Sequence, residues 1–136
     1  MKTVTMQYRV PYADTDMMGV VYYANYLTIF ERARNELMRE TGYTYRKCEE
    51  DGFALPVIHA EVDYRRPAKY DDLLEVDCTC ERCEGVRLKI ACTVRRGTEV
   101  LAKGFTEHCF ISLATRRPVP PPPAFSAAMA AGVAEK

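Results

Sequence analysis

Between Val20 and Thr41 apolar residues return every three or four positions: Tyr26, Leu27, Phe30, Ala33, Leu37 and Met38 form a stripe, and Glu31, Arg32, Arg34, Asn35 and Glu36 fill the remaining places. That spacing predicts one long amphipathic helix, closed by Gly42. Most of the rest follows a shorter period. Thr5 to Tyr12, Leu55 to Arg66, Leu73 to Arg82, Val86 to Arg95 and Val100 to Leu113 are rich in Val, Ile, Thr, Tyr, Phe and Cys with much alternation, and read as five strands. The breaks at Pro67 to Asp72, Cys83 to Gly85 and Arg96 to Glu99 are short enough for hairpins, so the second to fifth strands are expected to form a meander. One helix and five or six antiparallel strands cannot build separate cores, which predicts an α+β domain with the sheet wrapped around the helix. Such a helix covers only the concave side of the sheet. The uncovered face therefore points to an oligomer.

A chain of 136 residues supports one domain with a real core. Residues 1–115 are assigned to it. Residues 116–136 contain Pro118, the run Pro120 to Pro123 and an Ala-rich end, and are expected to be a stiff connector and a short terminal helix packed on the same domain. Nineteen Lys and Arg balance nineteen Asp and Glu, which leaves no basic excess for phosphate backbones and argues against nucleic acid as a partner. No apolar run approaches the roughly 18 residues of a membrane span, and the start of the chain lacks the apolar core of an export signal, so a cytoplasmic protein is expected. Its six cysteines should then stay reduced, mostly as small core residues. Cys78, Cys80 and Cys83 lack a second knuckle with metal-ligand spacing, and Cys78 and Cys80 share one face of a predicted strand, so no metal is expected there.

The most unusual stretch is Tyr12 to Tyr26, in which Asp14 and Asp16 lie on a loop entering the helix. A carboxylate can act as nucleophile or general base, Gly19 permits a tight turn, and the first helical N–H groups are unpaired donors suited to a carbonyl oxygen that becomes an oxyanion. Capping of the helix by Asp14 or Asp16 is the alternative reading of the same spacing. Two histidines remain. His59, after Pro56-Val57-Ile58, is read either as a substrate contact or as a hydrogen-bonded structural residue, and His108 as structural.

Asp14-Thr15-Asp16, Gly19, Val21-Tyr22 and Tyr26, followed by Phe30-Glu31-Arg32-Ala33-Arg34, resemble the signature of the hotdog-fold acyl-CoA thioesterases, the group of 4-hydroxybenzoyl-CoA thioesterase and the Tol-Pal-associated acyl-CoA thioesterase. The similarity continues through Val62 to Asp72 and the exit Arg117-Pro118-Val119-Pro120. The resemblance implies hydrolysis of an acyl-CoA without a cofactor, a catalytic Asp16, and a backbone N–H at Tyr23 that polarises the thioester carbonyl. It further implies substrate contacts from Gly19, Val20, Tyr26, His59, Arg65 and Arg66, and an active site shared across a homodimer that can pair into a homotetramer. Arg65, Arg66 and Lys69 cluster at the end of the second strand and Arg82 and Arg87 flank the next turn, so at least one of these groups is expected at the CoA phosphates, with plain solvation as the alternative reading. Position 23 departs from the Tol-Pal-associated subgroup, which carries His there, and the turn from Arg82 to Arg87 has fewer basic residues than its counterpart in 4-hydroxybenzoyl-CoA thioesterase. A non-catalytic acyl-CoA or acyl-carrier binding module is the rival from another class. The dehydratases of the same fold need a His and acid arrangement that the chain does not offer.

Overall fold

The computed structural model describes residues 3–134. The order along the chain is β1 (Thr3–Arg9), a 3-10 turn (Tyr12–Asp14), α1 (Asn25–Thr41), α2 (Tyr45–Glu50), β2 (Phe53–Ala54), β3 (Val57–Tyr64), β4 (Leu73–Glu84), β5 (Arg87–Arg96), β6 (Glu99–Cys109), β7 (Ile111–Ser112) and α3 (Pro123–Ala134). Five strands form one antiparallel sheet in the order β1-β4-β5-β6-β3, and β2 and β7 form a separate pair. The sheet wraps around α1, as the patterning predicts.

Period-2 alternation sets the two faces of this sheet. Leu74, Val76, Cys78 and Cys80 of β4 and Leu88, Ile90, Cys92 and Val94 of β5 are buried against the helix residues Ile29, Phe30, Ala33, Leu37 and Met38. All six cysteines are free thiols, and Cys48, Cys78, Cys80 and Cys92 are core residues. The opposite face carries Thr5, Glu75, Asp77 and Arg95, with the Arg95 guanidinium 2.7 Å from Asp77 and 3.2 Å from Glu75. That face is polar and half-exposed. Gly104, on the inner face of β6, has no room for a side chain: a Cβ there would lie 2.2 Å from the Glu61 carbonyl oxygen and 2.9 Å from the Phe30 ring.

Four sequence expectations need correction. The helix starts at Asn25, not near Val20: Gly19 sits at φ +78°, and Val20 and Val21 make isolated bridges to Lys69 and Thr15, so their apolar spacing reflects burial in a loop. Neither aspartate caps α1, whose N-cap is Ala24 without a side-chain bond. The meander holds only for β4, β5 and β6. β3 pairs with β6, not β4, so the Pro67 to Asp72 segment crosses from one edge of the sheet towards the other rather than closing a hairpin. The fifth predicted strand is broken at Phe110, which leaves the sheet and stacks edge-on against Phe125 of α3 at 4.8 Å. Phe125 also meets Tyr43, anchoring the connector's helix on the domain. The expected terminal helix reaches Ala134, and its last two residues lie outside the described ones. The six-residue α2, capped by the Thr44 hydroxyl accepting from the Lys47 N–H, was not expected.

His108 is fully buried, and its hydrogen bonds fix its proton. Leu55 carbonyl can only accept, so Nδ1 donates to it at 2.9 Å, which leaves Nε2 to accept from the Thr106 hydroxyl at 2.9 Å. Burial holds the imidazole down at about 4, against 6.5 for a free histidine. The unfolded chain therefore binds an extra proton between these values, and the stability tied to neutral His108 is whole above pH 6.5 and lost as the pH falls towards 4. The total loss should be roughly 3 kcal/mol. Urea midpoints measured from pH 7 to 4 should fall more steeply for the native protein than for His108→Gln.

Candidate functional site

The loop from Thr15 to Ala24 is held from three directions. Within it, the Asp16 N–H donates to Val20 carbonyl at 2.9 Å and the Gly19 N–H to Asp16 carbonyl at 3.0 Å, which closes a tight turn. The Val21 N–H reaches Ala68 carbonyl at 2.8 Å and ties the loop to the segment after β3. Asp14 supplies the third anchor. Its carbonyl accepts from both the Tyr22 N–H and Asn25 Nδ2 at 2.9 Å, while its carboxylate accepts from the Tyr8 hydroxyl on β1. Burial and the Asp14 charge push the Tyr8 phenol up to about 12, which keeps it a donor. The two acidic residues are thus distinguished by their partners: Asp14 braces the loop against β1 and α1, and Asp16 does not.

The half-buried Asp16 carboxylate accepts from the Met18 N–H through Oδ1 at 2.8 Å, and its Oδ2 has no partner among the described residues. Close by in sequence, the donors at the start of α1 are unevenly used. The Tyr22 N–H serves Asp14, the Asn25 N–H serves Tyr22 carbonyl at 2.9 Å, and the N–H groups of Tyr23 and Ala24 between them make no hydrogen bond among the described residues. These two donors lie at the positive end of the helix dipole. Tyr64, at the end of β3, fixes their geometry: its hydroxyl donates to Tyr23 carbonyl at 2.8 Å and its ring packs edge-on against Tyr26 at 5.2 Å.

These groups border one cleft of about 310 Å³, lined by Asp16, Val20, Tyr23 and Tyr26 on one side and by Tyr64, Arg65 and Arg66 on the other. The Arg65 and Arg66 N–H groups both donate to Leu101 carbonyl, which turns the chain at the cleft rim, and Arg66 pairs with Glu99 at 3.3 Å. A carboxylate and an unpaired backbone amide at the border of one open, largely apolar cleft can, between them, activate a nucleophile and stabilise the oxyanion that forms on a carbonyl.

Of the residues singled out in the sequence, Asp16, Val20, Tyr23, Tyr26, Arg65 and Arg66 meet at this cleft. Gly19 shapes the loop without lining the cleft. His59 does not join them. Strand alternation puts Ala60, Val62 and Tyr64 on the inner face, and His59 on the outer one, stacked on Phe105 at 5.6 Å and 3.1 Å from Glu61. Arg82 and Arg87 flank the far end of β4, about 30 Å along the strand from its start near the cleft. Sequence reasoning missed the roles of Tyr8, Asn25 and Tyr64; the alternation of β3 already aimed Tyr64 inward.

The model of the thioesterase-like superfamily matches residues 10–129. An acyl-CoA thioesterase of Haemophilus influenzae is 38% identical over 112 residues, 82% of each chain, and a 1,4-dihydroxy-2-naphthoyl-CoA hydrolase of Synechococcus elongatus is 30% identical over 113 residues, covering 82% of this chain and 83% of its own. Among solved structures, the 1,4-dihydroxy-2-naphthoyl-CoA thioesterase of Synechocystis superposes with a TM-score of 0.87 at 29% identity over 94% of this chain and 96% of its own. Since the match runs from the end of β1 into α3 and takes in the loop, the helix and every strand that form the cleft, the chain belongs to the thioesterase-like superfamily and has its hotdog fold.

Proposed function

We propose that the protein hydrolyses the thioester of an acyl-CoA to a free acid and CoA. The observation that carries this reading is that the Asp16 carboxylate and Tyr23, whose N–H is unengaged among the described residues, line one cleft. The named activities of the relatives point the same way. With the carbonyl oxygen on this amide, Asp16 either takes a proton from the attacking water or attacks the carbonyl carbon itself. In both routes the carbon–sulfur bond breaks, the pair of electrons leaves on the CoA sulfur, and water supplies the oxygen of the acid. The reaction as drawn uses no cofactor. Arg65 and Arg66 at the rim meet the CoA phosphates, and the substrate's own compartment makes the cytoplasm the place of action.

Thiol release from a set of acyl-CoAs tests the reading. Asp16→Asn should lower turnover by at least about a hundredfold with the fold unchanged by circular dichroism; near-normal turnover in that variant overturns the role of Asp16. Saturable binding without thiol release in the native protein favours a binding module instead. Tyr64→Phe, which removes the clamp on Tyr23, should lower kcat about fivefold to tenfold and leave KM within about twofold, because the loss falls on the oxyanion geometry rather than on ground-state binding.

We also propose that the working form is a homodimer, able to pair into a homotetramer, in which β3 edges meet. β3 bonds to β6 on one side only, and Val57 and Ile58 at its start are 50 % and 47 % exposed beside the half-exposed Leu27 of α1. An open strand edge with apolar flanks is a template for a second chain. Sedimentation at micromolar concentration should give a dimer or tetramer, and a stable monomer there would sink the shared-edge assembly.

A further inference from the structure

A second cavity, of about 280 Å³, lies further along the seam between α1 and β3, lined by Leu27, Glu31 and Arg34 from the helix, Val57 and Ala60 from the strand, and Thr106 of β6. Arg34 is its unusual member, a cation on the helix face that is only 8 % exposed. Among the described residues no carboxylate lies within ion-pair distance of it; Glu31, one turn earlier, is exposed and makes no ion pair with it. Desolvation pulls the guanidinium below the ordinary arginine value. The charge of Glu31, one turn earlier, offsets only part of that cost, so a closer anionic partner would stabilise the buried cation.

The hydrogen bonds say which part of Arg34 is available. Nη1 donates to the Thr106 hydroxyl at 3.4 Å. The Thr106 hydroxyl in turn donates to His108 Nε2, and His108 Nδ1 donates to Leu55 carbonyl, so the chain of bonds offers Arg34 only the one long contact. Among the described residues Arg34 Nε, enclosed by its neighbours, has no acceptor, and Nη2 makes no bond either. Nη2, unbonded and not enclosed, is the donor that a carboxylate entering the cavity can reach, in a charge-assisted hydrogen bond.

We infer that Arg34 forms a subsite for an acyl group that ends in a carboxylate, so that CoA monothioesters of dicarboxylic acids are favoured substrates. This rests on reading the neighbouring cleft as the thioester site. Arg34 is ten residues beyond Ala24, a rise of about 15 Å, and helical side chains lean back towards the N-terminus. An extended acyl chain of about eight to ten carbons spans what remains. Leu27, Val57 and Ala60 supply apolar walls for its methylenes, and the terminal carboxylate accepts from Arg34 Nη2, the donor left open at the cavity.

The test uses octanoyl-CoA and its counterpart with a terminal carboxylate, suberoyl-CoA. Calorimetric affinities are measured in the Asp16→Asn background, where turnover does not interfere, with Arg34 intact, Arg34→Met and Arg34→Lys. With Arg34 intact, suberoyl-CoA should bind at least about tenfold tighter; Arg34→Met should bring the ratio to within about twofold of unity and Arg34→Lys should leave part of it. Equal affinities with Arg34 intact, or a preference that survives Arg34→Met, overturn the subsite. So does a change in sedimentation on Arg34→Met without a change in the ratio, which assigns Arg34 to a carboxylate from a second copy. Should Arg34→Met not fold, the Arg34→Lys ratio decides. Thiol release by the native protein separates the two readings: none from either thioester defeats the hydrolase reading while the affinity ratio still reports on Arg34, and release with a ratio of one defeats the subsite alone.

Discussion

Helix α1 reaches the sheet through Phe30, whose ring fills the space that a side chain at residue 104 would need. The same bare position admits the β3 backbone, with Glu61 carbonyl closer to it than any Cβ could tolerate. Three elements therefore converge on one missing side chain. Because Phe30 sits low, the face of α1 that carries Ile29, Ala33, Leu37 and Met38 beds on β4 and β5. Because β3 lies close, the helix N-terminus is brought within reach of Tyr64, and the flank carrying Leu27 and Arg34 faces Ala60 and Val57. Adding even a methyl group at residue 104 would force helix and edge strand apart, and both cavities of the seam depend on that separation.

Local bonds then set what the N-terminus of α1 can do. No side chain caps it, and two of its amides are left without acceptors. The usual remedy, an aspartate at the cap, is present nearby but spent elsewhere: Asp14 ties Tyr8 to the loop, and Asp16 turns its carboxylate onto Met18 N–H. A side-chain cap would make the helix more stable by about 1 kcal/mol and would occupy one donor of its first turn. The loop braces on Asp14 and Ala68 hold this uncapped end in place.

Much of this was legible beforehand, for identifiable reasons. Strong alternation made β4 and β5 readable to within two residues at either end, and the stripe from Tyr26 to Met38 revealed the helix. The cleft residues Asp16, Tyr23, Arg65 and Arg66 were found through resemblance, because spacing alone did not separate Asp16 from Asp14. What separates them is a long-range contact with Tyr8, which no local pattern records. Strand order was misread for a related reason: β3 and β4 are joined by a segment of hairpin length, yet Arg65 and Arg66 bond back to Leu101 beyond β5, and that tertiary choice sends the chain across. The buried arginine was hidden in plain view, since a charged residue within a helical pattern reads as solvated surface until the sheet is seen to close over it.

The strand order also determines the sequence in which the chain can assemble. β4, β5 and β6 are joined by short turns and can zip together locally, whereas β3 must close a loop from Tyr64 to its partner Ala102, and β1 one from Arg9 to Leu73. Closing long loops costs entropy before any contact rewards it, so the two edge strands gain least from early pairing. On loop-closure entropy alone, the two edge strands are expected to dock after the three central ones. The cleft and the arginine cavity both lie along β3. Both therefore border the strand that the chain must place last, once the three central strands have closed.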